Sequence, residues 1–269
     1  MDNALNLALL AATLLPMRAT PSVVWLACVL SFGVITARAA DDDRPPEARY
    51  DTSGKATRDG IGKRYFGREI AHFMGHQGAG WLERPEREEE ERTDLLLKEL
   101  ALRPGERVAD IGAGSGYFSW RMAKIVGETG RVYATDIQQE MLDILMRQMR
   151  KNGVEKTVQP VLGTVQDCGV PAGTVDTVIL VDVYHELDFP YEMARSMIAA
   201  LKPGGRLVLV EYRGEDPAVP IKALHKMTAA QVKKEMSVHP VTFERNIPTL
   251  PRQHILIFRK NDPAQKPSR

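Results

Sequence analysis

The stretch from Arg107 to Asp136 limits what this chain can fold into more than any other. Arg107-Val108-Ala109-Asp110-Ile111 is short and largely apolar, bounded by Pro104-Gly105 and by glycine, and it predicts a buried strand. Gly112-Ala113-Gly114-Ser115-Gly116 follows, then Tyr117 to Val126 with helical character. Strand, glycine loop and helix together form a nucleotide-binding turn. Glycines let the backbone approach a ligand closely, and a helix N-terminus offers unpaired N–H groups. Arg131 to Thr135 predicts a second strand ending at Asp136, about 20 residues beyond the loop, where a carboxylate can accept bonds from both hydroxyls of a ribose.

The loop spacing bears on the cofactor. The dinucleotide fingerprint is G-x-G-x-x-G, arranged around a pyrophosphate. Here the pattern is G-x-G-x-G with the acid Asp110 before it. A carboxylate gains nothing beside a pyrophosphate, but it does gain beside the ammonium of an amino-acid moiety. Three more stretches follow in order: Tyr133-Ala134-Thr135-Asp136, Val175-Asp176-Thr177-Val178-Ile179-Leu180-Val181-Asp182, and Leu201-Lys202-Pro203-Gly204-Gly205-Arg206-Leu207. With Val108 to Gly116 they resemble the class I S-adenosylmethionine (SAM)-dependent methyltransferases over residues 104–212, and the sequence on to Arg259 is compatible. The general look is similar to the small-molecule branch that includes quinone-biosynthesis methyltransferases.

The resemblance implies a Rossmann-like, doubly wound α/β fold. Its seven-stranded sheet is mostly parallel, with antiparallel C-terminal edge strands. It also implies SAM as cofactor and methyl transfer to a small-molecule acceptor. Asp110 and Gly112 would lie beside the methionine moiety, with Ala113, Gly114 and Gly116 completing the turn. Asp136 would hold the ribose and Ile137 would pack on the adenine. The family often places an acid near the adenine amino group soon after the third strand. Thr164 stands at that position here, which leaves Gln166 or Asp167 for the contact.

The acceptor half is read from the strand ends. Val175 to Val181 predicts a buried central strand ending in Asp182-Val183-Tyr184-His185-Glu186, at the sheet edge where ligands of open α/β sheets lie. Either these residues pack the following turn, or Asp182 contacts cofactor or substrate while His185 accepts a proton from the nucleophile. Tyr184, Glu211 (at the end of strand Arg206–Glu211), His225 and Trp81 are further candidates for substrate contact. Residues 213–227 could wall the acceptor pocket. Thr228 predicts a helix N-cap with Gln231 at the capping-box position. Thr242 to Ile247 and His254 to Arg259 predict the antiparallel edge pair.

Around this domain, residues 104–260, the chain is read in pieces. A basic residue, an apolar run and an A-x-A site make a secretory signal. Arg18, Val23 to Ile35 and Ala37-Arg38-Ala39 supply them, so residues 1–39 read as a cleavable signal with the functional start at Met17. The alternative is an uncleaved membrane anchor. Export to the periplasm or beyond is the expectation, with membrane contact only through this segment. Residues 40–63 read as a solvated linker and 64–103 as helical, with Arg87 to Leu102 one helix and Glu88 to Arg92 its solvated charged face. The glycine-rich loop ending at Trp81 is either a lid over the cofactor or a structural cap. Residues 261–269 read as a tail.

Composition excludes other classes. Lysine plus arginine (36) nearly balances aspartate plus glutamate (35), so no global field gathers nucleic acid. The two cysteines, Cys28 and Cys168, make neither a disulfide framework nor a metal site, and Cys168 reads as a buried apolar residue. His72 and His76 share a helical spacing but have no third ligand nearby, so no metal is expected. Three functions stay open: a small-molecule methyltransferase, a SAM-fold binding module without catalysis, and a nicotinamide-dependent oxidoreductase disfavoured by the loop.

Overall fold

The computed structural model describes residues 49–262. The signal and anchor readings of residues 1–39, with Cys28, lie outside the described residues, as does most of the expected tail. Three short strands come first: β1 (Tyr50–Asp51), β2 (Gly60–Tyr65) and β3 (Arg68–Ala71). The helices α1 (Ala79–Leu82), α2 (Arg87–Glu91) and α3 (Thr93–Leu100) follow. The main domain then runs β4 (Arg107–Ile111), α4 (Tyr117–Val126), β5 (Arg131–Asp136), α5 (Gln139–Asn152), β6 (Val158–Leu162), β7 (Val175–Val181), α6 (Pro190–Ala200), β8 (Leu201–Tyr212), α7 (Ala229–Met236), β9 (Val241–Ile247) and β10 (Gln253–Lys260).

The seven-stranded sheet has the order β6-β5-β4-β7-β8-β10-β9. Its β4, β5, β6, β7 and β8 pairings are parallel, and β10 pairs antiparallel with both β8 and β9. The chain winds outward from β4 through β5 to β6, then returns to lay β7 on the other side of β4. Strand order therefore reverses between β4 and β7, the crevice where such sheets bind ligands. Alternation along the strands fills two layers. Val178, Leu180, Leu207 and Leu209 face Met193, Met197 and Met236 on α6 and α7. Ile179, Val208 and Val210 lie on the other face, in one cluster with Phe118, Met122, Leu145 and Met149 of α4 and α5. Cys168 is fully buried in the first cluster.

The N-terminal part differs from the helical expectation. Residues 50–71, read as linker and helix, form an antiparallel sheet. Its hairpin turns at Phe66-Gly67, with φ of 51° and 91°, the left-handed pair of a two-residue hairpin loop. Tertiary contacts decide this segment. Tyr65 and Ile70 pack with Tyr191 of α6, and the Tyr50 hydroxyl donates to Glu192 at 2.5 Å. The single helix expected over Arg87–Leu102 is two. Arg92 adopts a left-handed φ of 53°, and the Glu88 carboxylate accepts from the Asp94 backbone N–H at 3.0 Å, capping α3. The charged stretch is not all solvated either: Arg87 and Glu91 are buried as an ion pair at 3.0 Å.

Candidate functional site

A cavity of about 560 Å³ opens at the β4/β7 reversal, a size suited to a small-molecule ligand. One half is built by the glycine loop and the end of β5: Gly112, Gly114, Asp136, Ile137, Gln138 and Met141, joined by Thr164 and Val165. The other half holds Asp182, Val183, His185, Glu186, Tyr212, Pro220, Ile221, Lys222 and His225. Residues 72–87 close it from above with His72, Phe73, Met74, Trp81, Leu82 and Arg87.

Local chemistry holds this roof down. The Ser115 hydroxyl donates to Glu83 at 2.6 Å. Gln138 accepts from the His76 backbone N–H at 2.9 Å and donates to the Met74 carbonyl at 3.0 Å. A Cβ on Gly114 would stand 2.7 Å from Leu82 Cδ1, so this glycine lets the roof touch the loop. Trp81 is thus a wall of the cavity, 41% exposed at its rim beside Phe73.

The sequence candidates separate into those that reach the cavity and those that support it. Gly112, Gly114, Asp136, Ile137, Asp182, His185, Trp81 and His225 line it. Asp136 accepts from the Gly114 N–H at 3.1 Å and the Gln138 N–H at 2.9 Å, and burial raises its pKa. Asp110 is not a lining residue. It is buried in β4, accepts from the Ser119 hydroxyl at 2.5 Å, and is pushed up to about 6, chiefly by burial. Ala113 and Gly116 also support the turn without lining it. The Ala113 N–H binds the Thr135 carbonyl, and a Cβ on Gly116 would run into Met149 and Leu145.

Gln166 and Asp167, expected at the adenine, do not line the cavity. Asp167 is drawn to the Gly169 N–H at 2.8 Å and to Ser196 at 2.7 Å, leaving Thr164 and Val165 on the wall. Tyr184 points into the core and is fully buried, so it is not a substrate contact. Glu211 is buried too. It accepts from the Tyr184 N–H at 2.9 Å and from His185 Nδ1 at 2.6 Å, so it orients the histidine from behind.

Charge is concentrated on the far wall. Asp182 has a left-handed φ of 56°. Its Oδ2 accepts from Gln253 at 2.8 Å, and its Oδ1 is buried with no hydrogen bond among the described residues. Burial pushes its pKa well up, and Glu91 and Glu211 add to the effect. His185 Nε2 lies 3.2 Å from His225 Nδ1 and 3.7 Å from Glu186 Oε1. Burial alone would lower its pKa, but Glu211 and Glu186 outweigh that and raise it to about 10. The two carboxylates therefore favour the protonated ring over the neutral one.

Several cavity residues had no sequence signal. Arg87 looked like part of a surface helix, yet it is buried against the Tyr117 ring at 4.4 Å and its charge acts on both Asp110 and Asp182. Glu186 was hidden because only the fold brings His225 to it, at 3.2 Å. His72 and His76, spaced four apart but without a third ligand, gave no reason to expect a metal. The fold instead assembles His185, Glu186 and His225, with ligand atoms within 4.8 Å of one another.

Residues 108–205 match the family described as methyltransferase domain. The ubiquinone/menaquinone biosynthesis C-methyltransferase of Vibrio campbellii is 33% identical over 110 residues, which are 41% of this chain and 42% of that protein. The corresponding protein of Ectopseudomonas mendocina is 35% identical over 111 residues, 41% and 43% of the two chains. The chain thus spans about two fifths of the length of the curated relatives it matches. Among solved structures, a SAM-dependent methyltransferase from Aquifex aeolicus superposes with a TM-score of 0.66 at 23% identity, over 70% of this chain and all of that one. The [4+2]-cyclase SpnF superposes with a TM-score of 0.55 at 17% identity, over 64% of this chain and 81% of that one. The fold is shared with both, and a fold shared with a cyclase does not by itself fix the reaction.

Proposed function

We propose that this chain, whose residues 108–205 match the methyltransferase domain family, binds SAM and passes its methyl group to an apolar small-molecule acceptor. One observation carries the reading. A single cavity joins a nucleoside-type half, at the glycine loop and Asp136, to a second half where apolar Val183, Leu187, Pro220 and Ile221 stand beside His185, Glu186 and His225. The first half fits the cofactor. The Asp136 carboxylate stands where a ribose would be held, and Ile137, Met141 and Val165 offer apolar faces for a flat ring. The Oδ1 of Asp182, buried and without a hydrogen bond among the described residues, is left to meet the polar amino-acid end.

SAM supplies an already activated methyl on its sulfonium. The protein is left mainly with alignment and exclusion of water. Leu82 and Trp81 cover the loop side. On the acceptor side, His185, steadied through Nδ1 by Glu211, faces an acceptor oxygen or ring. The exposed Phe73, Trp81 and Val165 at the mouth fit an apolar guest. The balanced charge of the chain supports a small molecule over a nucleic acid. Residues 1–39 are proposed to export the chain, and sequencing the mature N-terminus tests this: a chain beginning near Ala40 is expected, and retention of Met1 overturns it.

Calorimetric titration of the full chain with SAM and with NAD tests the class. SAM binding without NAD binding is the expected outcome, and the reverse would leave the oxidoreductase. Mass spectrometry of extracts incubated with methyl-labelled SAM then identifies the acceptor. SAM binding with no label transferred by the protein points to a binding module.

A further inference from the structure

The cluster at the acceptor end of the cavity has a composition that neither a packing role nor methyl transfer requires. Two imidazoles and one carboxylate converge from separate elements. His185 and Glu186 lie in the 3-10 turn after β7, and His225 lies in a second 3-10 turn 40 residues after His185. His225 Nδ1 is 3.2 Å from both His185 Nε2 and Glu186 Oε1, and the latter two atoms are 3.7 Å apart. Three donor atoms in such a triangle surround one point within reach of all of them. Zinc sites of the catalytic type use two histidines and one glutamate and leave a position open. The same donor set with open positions also suits other divalent first-row metals.

The surroundings are those of a prepared site. Metal-bound histidines usually give their second ring nitrogen to a carboxylate, which fixes the tautomer and ring orientation. His185 does this through Nδ1 to Glu211 at 2.6 Å, and Glu211 is in turn fixed by the Tyr184 N–H at 2.9 Å. Arg68 clamps the same turn from the N-terminal sheet, donating to the His185 carbonyl at 3.0 Å. The other oxygen of Glu186 faces the Met74 N–H at 3.4 Å. All three donors line the cavity, so an ion among them keeps its open position toward the guest.

We infer that His185, Glu186 and His225 form a binding site for a divalent transition-metal ion, Zn²⁺ or a first-row neighbour, whose open position coordinates an oxygen of the bound acceptor. The site itself stands on the donor geometry alone. Its assignment to the acceptor rests on the proposed methyltransferase reading. A ketone, phenol or quinol oxygen is the chemical class such a position takes. The ion would orient that oxygen and draw electron density toward it.

The test uses the full chain stripped with a chelator and titrated with Co²⁺, whose visible bands report nitrogen and oxygen ligation, and with Zn²⁺ by calorimetry. One ion per chain is expected. His225→Ala, at a partly exposed position, should weaken binding at least tenfold. Glu186→Gln should do the same, and Glu211→Gln should weaken it roughly 10–100-fold through the orienting bond. Thermal melts confirm that each variant is folded. Unchanged affinity in both His225→Ala and Glu186→Gln, or loss of binding only in His76→Ala, overturns the site. SAM titration of the same samples is separate. Metal binding with no SAM binding removes the methyltransferase reading and leaves the site, while SAM binding with no metal binding removes the site alone.

Discussion

Asp110 shows how one residue can serve the turn at a cost to stability. Its carboxyl is fully buried in β4, and burial raises its pKa to about 6 from 3.8, with Asp136 adding to the rise and Ser119 and Arg87 opposing it. A raised carboxyl favours folding fully below its unfolded pKa, and that contribution is lost as pH climbs through the folded value. Ionised Asp110 is therefore a burden at neutral pH. Asp110→Asn keeps an acceptor for Ser119 and should raise stability near pH 7.5 by on the order of 2 kcal/mol, with the gain gone near pH 3.5. Urea titrations at the two pH values check this, and an equal gain at both would show that ionisation is not the cause. Asp136→Ala should instead weaken SAM binding by about 1–3 kcal/mol through lost charged hydrogen bonds. An unchanged dissociation constant in calorimetry would remove Asp136 from the cofactor site.

At the scale of elements, the glycine loop is a joint between three parts. Gly116 caps α4 at φ 83°, and an added Cβ would lie 2.6 Å from Met149 and 2.8 Å from Leu145 on α5. Gly116→Ala therefore forces both a left-handed alanine and a collision with a packed helix. A loss of about 1–3 kcal/mol in denaturant unfolding is expected. Gly114 faces the other way, toward Leu82 in the roof. Leu82→Ala should leave stability within about 1–2 kcal/mol, because the residue is only half-buried, while loosening the cover over the loop. A faster SAM off-rate in stopped-flow measurements is the expected result. An unaltered off-rate would make the roof a passive wall.

Across the whole molecule, the N-terminal sheet is tied to the main domain by a buried ion pair. Arg68 on β3 meets Glu235 on α7 at 2.8 Å and 3.1 Å, and Glu235 is fully buried. Removing one partner strands the other charge, so Glu235→Gln should cost about 3–5 kcal/mol. Replacing both residues together, Arg68→Met with Glu235→Leu, should recover most of that loss. Because Arg68 also holds the His185 carbonyl, the double variant should still weaken whatever binds at His185. Thermal denaturation of the three variants, with ligand titration of the folded ones, separates the two effects. A double variant no more stable than the single would show that the sheet depends on the charge pair itself.

The strands and helix from Arg107 to Asp136, the buried strand Val175–Val181 and the antiparallel pair at the C-terminal edge were legible in the sequence. Their patterns are local: apolar runs bounded by glycine and proline, and a glycine loop whose spacing admits few backbones. Gly112, Gly114, Asp136, Asp182 and His185 could be placed at one sheet edge because strand ends in this topology point there. Residues 50–71 read as linker and helix because a polar, glycine-containing stretch gains its strand structure only by packing Tyr65 and Ile70 on Tyr191. Glu91 read as solvated because nothing local reveals that its pair with Arg87 will be covered. Asp167 could not be told from a cofactor ligand until Ser196 was seen to hold it. The chain by itself determined the sheet and its glycine turn. The tertiary structure alone decided the roof over that turn and the meeting of His185, Glu186 and His225, since both depend on contacts between residues far apart in the chain.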